Sequence, residues 1–74
     1  MSTWTVVYEY TATRWSAFVP ALSGVGAAGA SRDEAERLIK EAIGLHLDGL
    51  AEDGLPIPDP DIVDVGQVEL KRPA

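Results

Sequence analysis

The segment from Ser31 to Asp53 constrains the fold most, because its residues have the spacing of one long helix. Ser31 and Glu34 form a capping box, in which both side chains accept hydrogen bonds from backbone N–H groups at the helix start. Gly54 supplies the left-handed residue that closes a helix, and Pro56 prevents continuation. The side chains of the buried stripe recur every three or four positions: Ala35, Leu38, Ile39, Ala42, Ile43, His46 and Leu50. The sequence therefore predicts a single long helix over residues 31–53.

The helix also carries more apolar surface than one sheet covers. With Leu45 and Leu47 included, its apolar side chains sweep about 200° around the axis, about twice what one buried face requires. His46, the only histidine in the sequence, lies in this arc, and apart from Asp53 no second metal ligand shares its face. We therefore predict that Leu45, His46 and Leu47 lie in an interface between copies of the chain, in a homodimer or a higher even oligomer.

Four short segments have the character of strands. Alternation and a content of aromatic and β-branched residues predict a first strand over residues 3–11 and a second over residues 15–19, joined by a tight turn. A weak third strand of tiny residues covers 25–30, so we expect another element to pack closely on it. A last strand covers 62–70, with a bulge at Gly66 that keeps its apolar residues on one side.

The predicted element order is β-β-β-α-β, which gives an α+β fold in a single domain over residues 1–74, with residues 71–74 as a tail. The proline-rich segment 55–60 is expected to be a stiff, extended connector between the helix and the last strand. A right-handed crossover places that strand beside the first, in a four-stranded mixed sheet of order 3-2-1-4 with the helix on one face. One helix is about 10 Å wide and four strands span nearly twice that width, so the sheet needs a second copy or a partner to cover it.

The negative charges are concentrated in the second half of the chain. Residues 1–40 hold four acids and four bases, whereas residues 41–70 hold eight acids and no Lys or Arg. This half repels a phosphate backbone, so we expect no direct binding of nucleic acid, and it attracts a basic protein. Acids at the carboxy end of a helix oppose its dipole, which indicates either a solvated helix end or a surface for a basic partner. The candidate partner-binding residues are Asp48, Glu52, Asp53, Asp59 and Asp61.

The motifs that resemble sites for catalysis, cofactors or metals each lack a required part. Gly24, Gly26 and Gly29 have the spacing of a dinucleotide-binding loop, but the helix cap follows the third glycine and the acid expected after a second strand is missing. The acids in 59–64 lack the glutamate of a calcium loop. The chain has no cysteine, and no base lies at motif spacing from a serine. We therefore expect that the chain is not an enzyme and takes no cofactor, metal or small-molecule substrate. The sequence shows no signal peptide and no membrane-spanning run, so we expect a cytoplasmic protein.

An ordered set of short segments resembles the HicB-like antitoxin family, from about Thr5 to Val68. The segments are Trp15 to Pro20, Leu22, Gly24, Ser31 to Ala35, Glu41 to Ile43, Leu45 to Leu47, Leu50 and Asp53 to Pro58. The resemblance implies a truncated RNase H-like fold. It also implies that the chain binds and neutralises HicA, a small basic toxin that cleaves mRNA. Many members add a carboxy-terminal DNA-binding domain, which is not expected of a chain that ends at Ala74.

The sequence thus predicts a non-catalytic protein-binding module of HicB antitoxin type, which acts by occluding a basic toxin. One alternative is a relative without a toxin that acts only as a homo-oligomeric interaction or regulatory domain. A third is a vestigial RNase H-like enzyme, although the first strand offers only Glu9 toward a carboxylate cluster.

Overall fold

Three antiparallel strands and one helix make up the fold in the computed structural model, which describes residues 3–62 and 64–71. The strands are β1 (Val7–Thr11), β2 (Arg14–Phe18) and β3 (Gly26–Gly29), in the sheet order β1-β2-β3. The helix α1 spans Arg32–Glu52, and a single 3-10 turn follows at Pro60–Ile62. The architecture is therefore α+β, with the first three strands and the helix in the predicted order.

The hairpin of β1 and β2 closes through the shortest turn that antiparallel strands allow. Its two central residues, Ala12 and Thr13, have positive φ angles of 50° and 66°, the signature of a type I′ turn. Both residues carry a Cβ atom, so the turn holds them in a region that L-residues avoid. Across the strands, the rings of Tyr10 and Trp15 pack with their centroids 5.3 Å apart. The pairing of β1 with β2 therefore offsets the strain of the turn.

The helix begins where the capping box predicts. The Ser31 hydroxyl oxygen accepts a hydrogen bond from the Glu34 N–H at 3.1 Å, and the Glu34 carboxylate accepts one from the Ala30 N–H at 3.1 Å. A Cβ atom on Gly29 would lie 2.8 Å from that carboxylate and 3.0 Å from the Ala35 nitrogen. The first turn of α1 therefore packs on β3 at a distance that only glycine permits, which confirms the predicted close approach.

The helix ends in a Schellman motif. The Leu55 N–H donates to the Leu50 carbonyl at 2.9 Å, and the Gly54 N–H donates to the Ala51 carbonyl at 3.2 Å. Gly54 has a φ of 69°, the left-handed conformation that this motif requires. The predicted boundaries of the helix are thus confirmed at both ends.

The core lies between α1 and the strands β2 and β3. Its buried side chains are Ala17, Val19, Leu22, Val25, Ala35 and Ile39. Partly buried residues surround them, namely Trp4, Val6, Tyr8, Trp15, Ala27, Ala42, Ile43 and Leu47. No helix or strand of residues 3–62 and 64–71 covers the opposite face of the sheet, and Phe18 on that face is 40% exposed. The helix therefore covers one face of the sheet, as predicted.

The structure does not confirm the predicted fourth strand. Residues 64–71 adopt no regular secondary structure and are exposed, and residue 63 of the predicted strand lies outside the described residues. The sheet of the described residues has three strands, and the structure confirms neither the order 3-2-1-4 nor the RNase H-like arrangement. The physical reason is that a strand forms only where a neighbouring strand shares backbone hydrogen bonds with it, and residues 64–71 pair with none of the three strands.

The molecule is elongated for its size. Its radius of gyration is 14.8 Å, against about 11 Å for a compact domain of this length. Its longest dimension is 52 Å, whereas a helix of the length of α1 measures only about 32 Å. The described molecule is therefore longer along one axis than its helix alone. Within the described residues, no helix combines the length and the apolar character that crossing a membrane requires.

Candidate functional site

Two of the three basic residues of the helix, Arg32 and Arg37, form ion pairs within its first half. The Arg32 guanidinium lies 3.5 Å from the Glu36 carboxylate and 4.0 Å from the centre of the Tyr8 ring. Arg37 lies 3.7 Å from Glu41. These pairs each join residues one helical turn apart, so charge is compensated along the start of α1. The last turn of the helix contains no basic residue.

The second half of the helix ends in an uncompensated group of acids, Asp48, Glu52 and Asp53, which we call the acidic helix end. All three side chains are exposed, and within residues 3–62 and 64–71 none forms an ion pair. They lie beside the carbonyl groups at the negative end of the helix dipole. The structure therefore brings three of the five predicted partner-binding residues to one end of the helix.

The other two predicted partner-binding residues lie on a separate turn. Asp59 and Asp61 are exposed and follow the extended segment that leaves the helix. The Asp59 carboxylate accepts a hydrogen bond from the Asp61 N–H at 2.9 Å, which shapes the 3-10 turn locally. Their charges add to the acidic character of this end of the molecule, but the carboxylate of Asp59 also serves the turn itself.

The predicted oligomer interface residues point in different directions, because successive helical residues diverge by about 100°. Leu45 is 74% exposed, whereas Leu47 packs against the core. His46 is half-buried between them. Leu45 therefore supplies the exposed apolar part of this group, and its contact with a second copy stays a prediction.

An open groove between α1 and the β1 side of the sheet is a feature that the sequence reading missed. It has a volume of about 500 Å³. The residues that line it are Thr3, Trp4, Val6, Tyr8, Glu36, Ile39, Lys40 and Ile43. The groove exists because α1 lies over β3 and β2 and covers the β1 side only in part. The signal that points to it in the sequence is the mismatch between the width of one helix and the width of the sheet.

The glycine motif has the structural role that the sequence reading favours. Gly24 has a φ of 85° in the turn before β3, and Gly26 and Gly29 belong to β3 itself. Residues with this placement shape a turn and a close helix contact instead of a phosphate-binding loop. Among the described residues, no three His, Asp or Glu side chains gather in the way that holds a metal ion.

The fold and these surfaces have the character of a small interaction domain, with an acidic end, an exposed apolar segment and an open groove. The family described as the HicB_like antitoxin of bacterial toxin-antitoxin systems matches residues 4–71. The chain therefore belongs to the HicB-like antitoxin family, which confirms the resemblance seen in the sequence. Searches of curated proteins and of solved structures found no significant match.

Family membership indicates in general terms what these surfaces are for. It indicates an antitoxin role in a toxin-antitoxin system, with a toxin as the partner, and it favours binding over catalysis. The acidic helix end and the groove are then candidate contact surfaces on this antitoxin domain.

Proposed function

We propose that this chain is a cytoplasmic, non-catalytic antitoxin that binds a small, basic, mRNA-cleaving toxin of HicA type and occludes it. The observation that carries this proposal is the family match over residues 4–71, nearly the whole chain. The proposal treats the chain as one domain, with no small-molecule substrate and no direct contact with nucleic acid.

The charge of the molecule supports a basic partner. The acidic helix end is exposed and forms no ion pair within the described residues, and it lies where the helix dipole makes negative charge unfavourable. Lys or Arg side chains of a partner relieve that repulsion when they bind. A toxin that cleaves mRNA must attract phosphates with basic residues, and carboxylates compete for the same residues. The acidic helix end therefore supports a mode of action in which the antitoxin excludes RNA from the toxin.

The exposed apolar surface supports self-association in addition to toxin binding. Leu45 is 74% exposed, and the groove and the segment after the helix leave further apolar side chains in solvent. Exposed apolar side chains in such number are typical of interaction surfaces. A homo-oligomeric domain without a toxin partner is the second candidate function. The absence of a small basic open reading frame next to this one would favour it.

The experiment that tests the proposal mixes the full chain with the purified toxin encoded beside it and follows cleavage of an mRNA substrate. We expect complete protection at a fixed stoichiometry, together with a complex that elutes as one species in gel filtration. The alternative of a vestigial RNase H-like enzyme is tested by incubating the chain alone with an RNA–DNA hybrid and Mg²⁺, where cleavage of the RNA strand would support it. Unprotected mRNA and no complex at micromolar concentrations would contradict the antitoxin proposal.

A further inference from the structure

The segment after the 3-10 turn has the sequence of a strand without the partner that a strand needs. Three of its aliphatic side chains are largely in solvent, with Val65 at 65%, Val68 at 86% and Leu70 at 77% exposure. Val68 and Leu70 alternate with Gln67 and Glu69, which is the pattern of a strand with one buried face. Residues 64–70 therefore have the sequence pattern and the exposure of a segment that can pair as a strand with the edge of a sheet.

The molecule also contains a sheet edge with room for one more strand. β1 is the first strand of the sheet, so one side of its backbone has no neighbour within the described sheet. Unpaired strand edges present rows of N–H and C=O groups that accept an added strand. The groove lined by Val6 and Ile43 opens beside this edge, on the face that α1 covers in part. An added strand therefore finds both hydrogen-bonding groups and an apolar cavity for its inward side chains.

The connector makes a second copy of the chain the better source of that strand. The Schellman motif at Gly54 ends the helix, and Pro56, Pro58 and Pro60 favour an extended conformation in the residue that precedes each of them, before the 3-10 turn. Residues 64–71 form no strand with the sheet of their own chain, and Val68 and Leu70 stay largely exposed. If two copies exchange the segment, each segment pairs with the β1 edge of the other copy, so the same contact forms twice. Both surfaces of that contact already exist in the single chain.

We propose that two copies of this chain exchange residues 64–70, so that each segment pairs with the outer edge of β1 in the other copy and places Val68 and Leu70 in its groove. This inference rests on the proposed self-association and specifies its geometry. The dimer then has two identical contacts related by a two-fold axis, and each sheet gains a fourth strand.

The first test compares Val68→Asp with the matched control Gln67→Asp in the full chain. Both variants add one negative charge, at neighbouring positions that face opposite sides of the segment. Because Val68 is 86% exposed in the single chain, its replacement leaves the core intact, which circular dichroism checks. Sedimentation velocity should show a dimer for the wild type and Gln67→Asp. For Val68→Asp, we expect the dissociation constant to rise about a hundredfold or more, because two apolar contacts are lost.

The second test distinguishes exchange from pairing within one chain. The sequence has no cysteine, so one double variant, with Glu9→Cys and Glu69→Cys, carries the only thiols. Glu9 lies on the uncovered face of β1, and Glu69 faces the same side when Val68 and Leu70 fill the groove. A short bis-maleimide should join these thiols between two chains, giving a covalent dimer in mass spectrometry.

The outcomes separate this inference from the toxin-binding proposal. A cross-linked product with the mass of one chain shows that the segment pairs with its own sheet and overturns the exchange. A wild-type chain that stays monomeric at high micromolar concentration, or a dimer equally stable in Val68→Asp and Gln67→Asp, also overturns it. The protection of mRNA is measured in the separate toxin assay, so each of these results leaves the proposed function standing.

Discussion

Neutralising the acidic helix end should stabilise the free domain and slow its association with a basic toxin. The variant replaces Asp48 and Glu52 with Gln, and Asp53 with Asn. All three side chains are exposed, so the substitutions remove charge without altering the core. Because their backbone positions are kept, the Schellman motif that follows is retained.

The expected stability gain follows from the placement of the charges. Each exposed acid in the last turn opposes the helix dipole by about 0.3 kcal/mol at low ionic strength. Asp48 and Glu52 are also a like-charged pair one turn apart, which adds about 0.2–0.5 kcal/mol. The free energy of unfolding should therefore rise by about 1 kcal/mol, which raises Tm by about 4–8 °C in a domain of this size. In 1 M salt the gain should shrink, because exposed charges are screened over about 3 Å.

The binding measurement decides whether the acidic helix end is functional. In stopped-flow association with the toxin at two ionic strengths, we expect the variant to associate about tenfold more slowly at low salt and to depend less on salt. The matched control changes the net charge equally at other positions, through Glu9→Gln, Asp33→Asn and Glu41→Gln. Equal association rates for the two variants would refute the reasoning and leave the acidic helix end as solvated surface.

Three further variants test the local structure in urea unfolding experiments. Replacing Ala12 with Asn and Thr13 with Gly should raise the free energy of unfolding by about 1–2 kcal/mol, because both positions have positive φ; an unchanged value contradicts the turn assignment. Replacing Gly29 with Ala should lower it by about 1–2 kcal/mol, since the new methyl group displaces the capping Glu34 side chain. Replacing Ile39 with Ala should cost about 2–5 kcal/mol because Ile39 is 1% exposed, and a smaller loss contradicts its place in the core.

The elements that the sequence predicts correctly are those fixed by nearby residues. The capping box at Ser31 and the left-handed Gly54 define the helix because both act through hydrogen bonds within a few residues. The hairpin is also local, since its two strands are joined by the turn at Ala12 and Thr13. The fourth strand differs, because its partner is distant in the chain and the prolines between them oppose a return. Its sequence pattern is present, but the pairing that makes a strand is not determined by that pattern.

Some features of the candidate surfaces also follow from nearby residues, whereas others depend on how the helix packs on the sheet. The exposure of Asp48, Glu52 and Asp53 follows from their charge alone, since an unpaired carboxylate is costly to bury. The separation of Leu45 from Leu47 depends on where the helix rests on the sheet, which the apolar arc does not specify. The groove beside β1 likewise depends on the helix lying over β2 and β3 instead of over the centre of a wider sheet.

The small core connects the stability of this domain to its interactions. In the part of the chain that the structure describes, the only large side chains that are fully buried are Leu22 and Ile39, and a domain of this size gains little stability from so few residues. Val68 and Leu70 remain exposed in the single chain, so their burial against another surface adds apolar contacts that the isolated core lacks. A ligand or partner that binds only the folded state stabilises it by an amount that grows with the logarithm of its concentration above Kd. If the chain self-associates and binds a toxin as proposed, both contacts therefore increase the fraction of this domain that is folded.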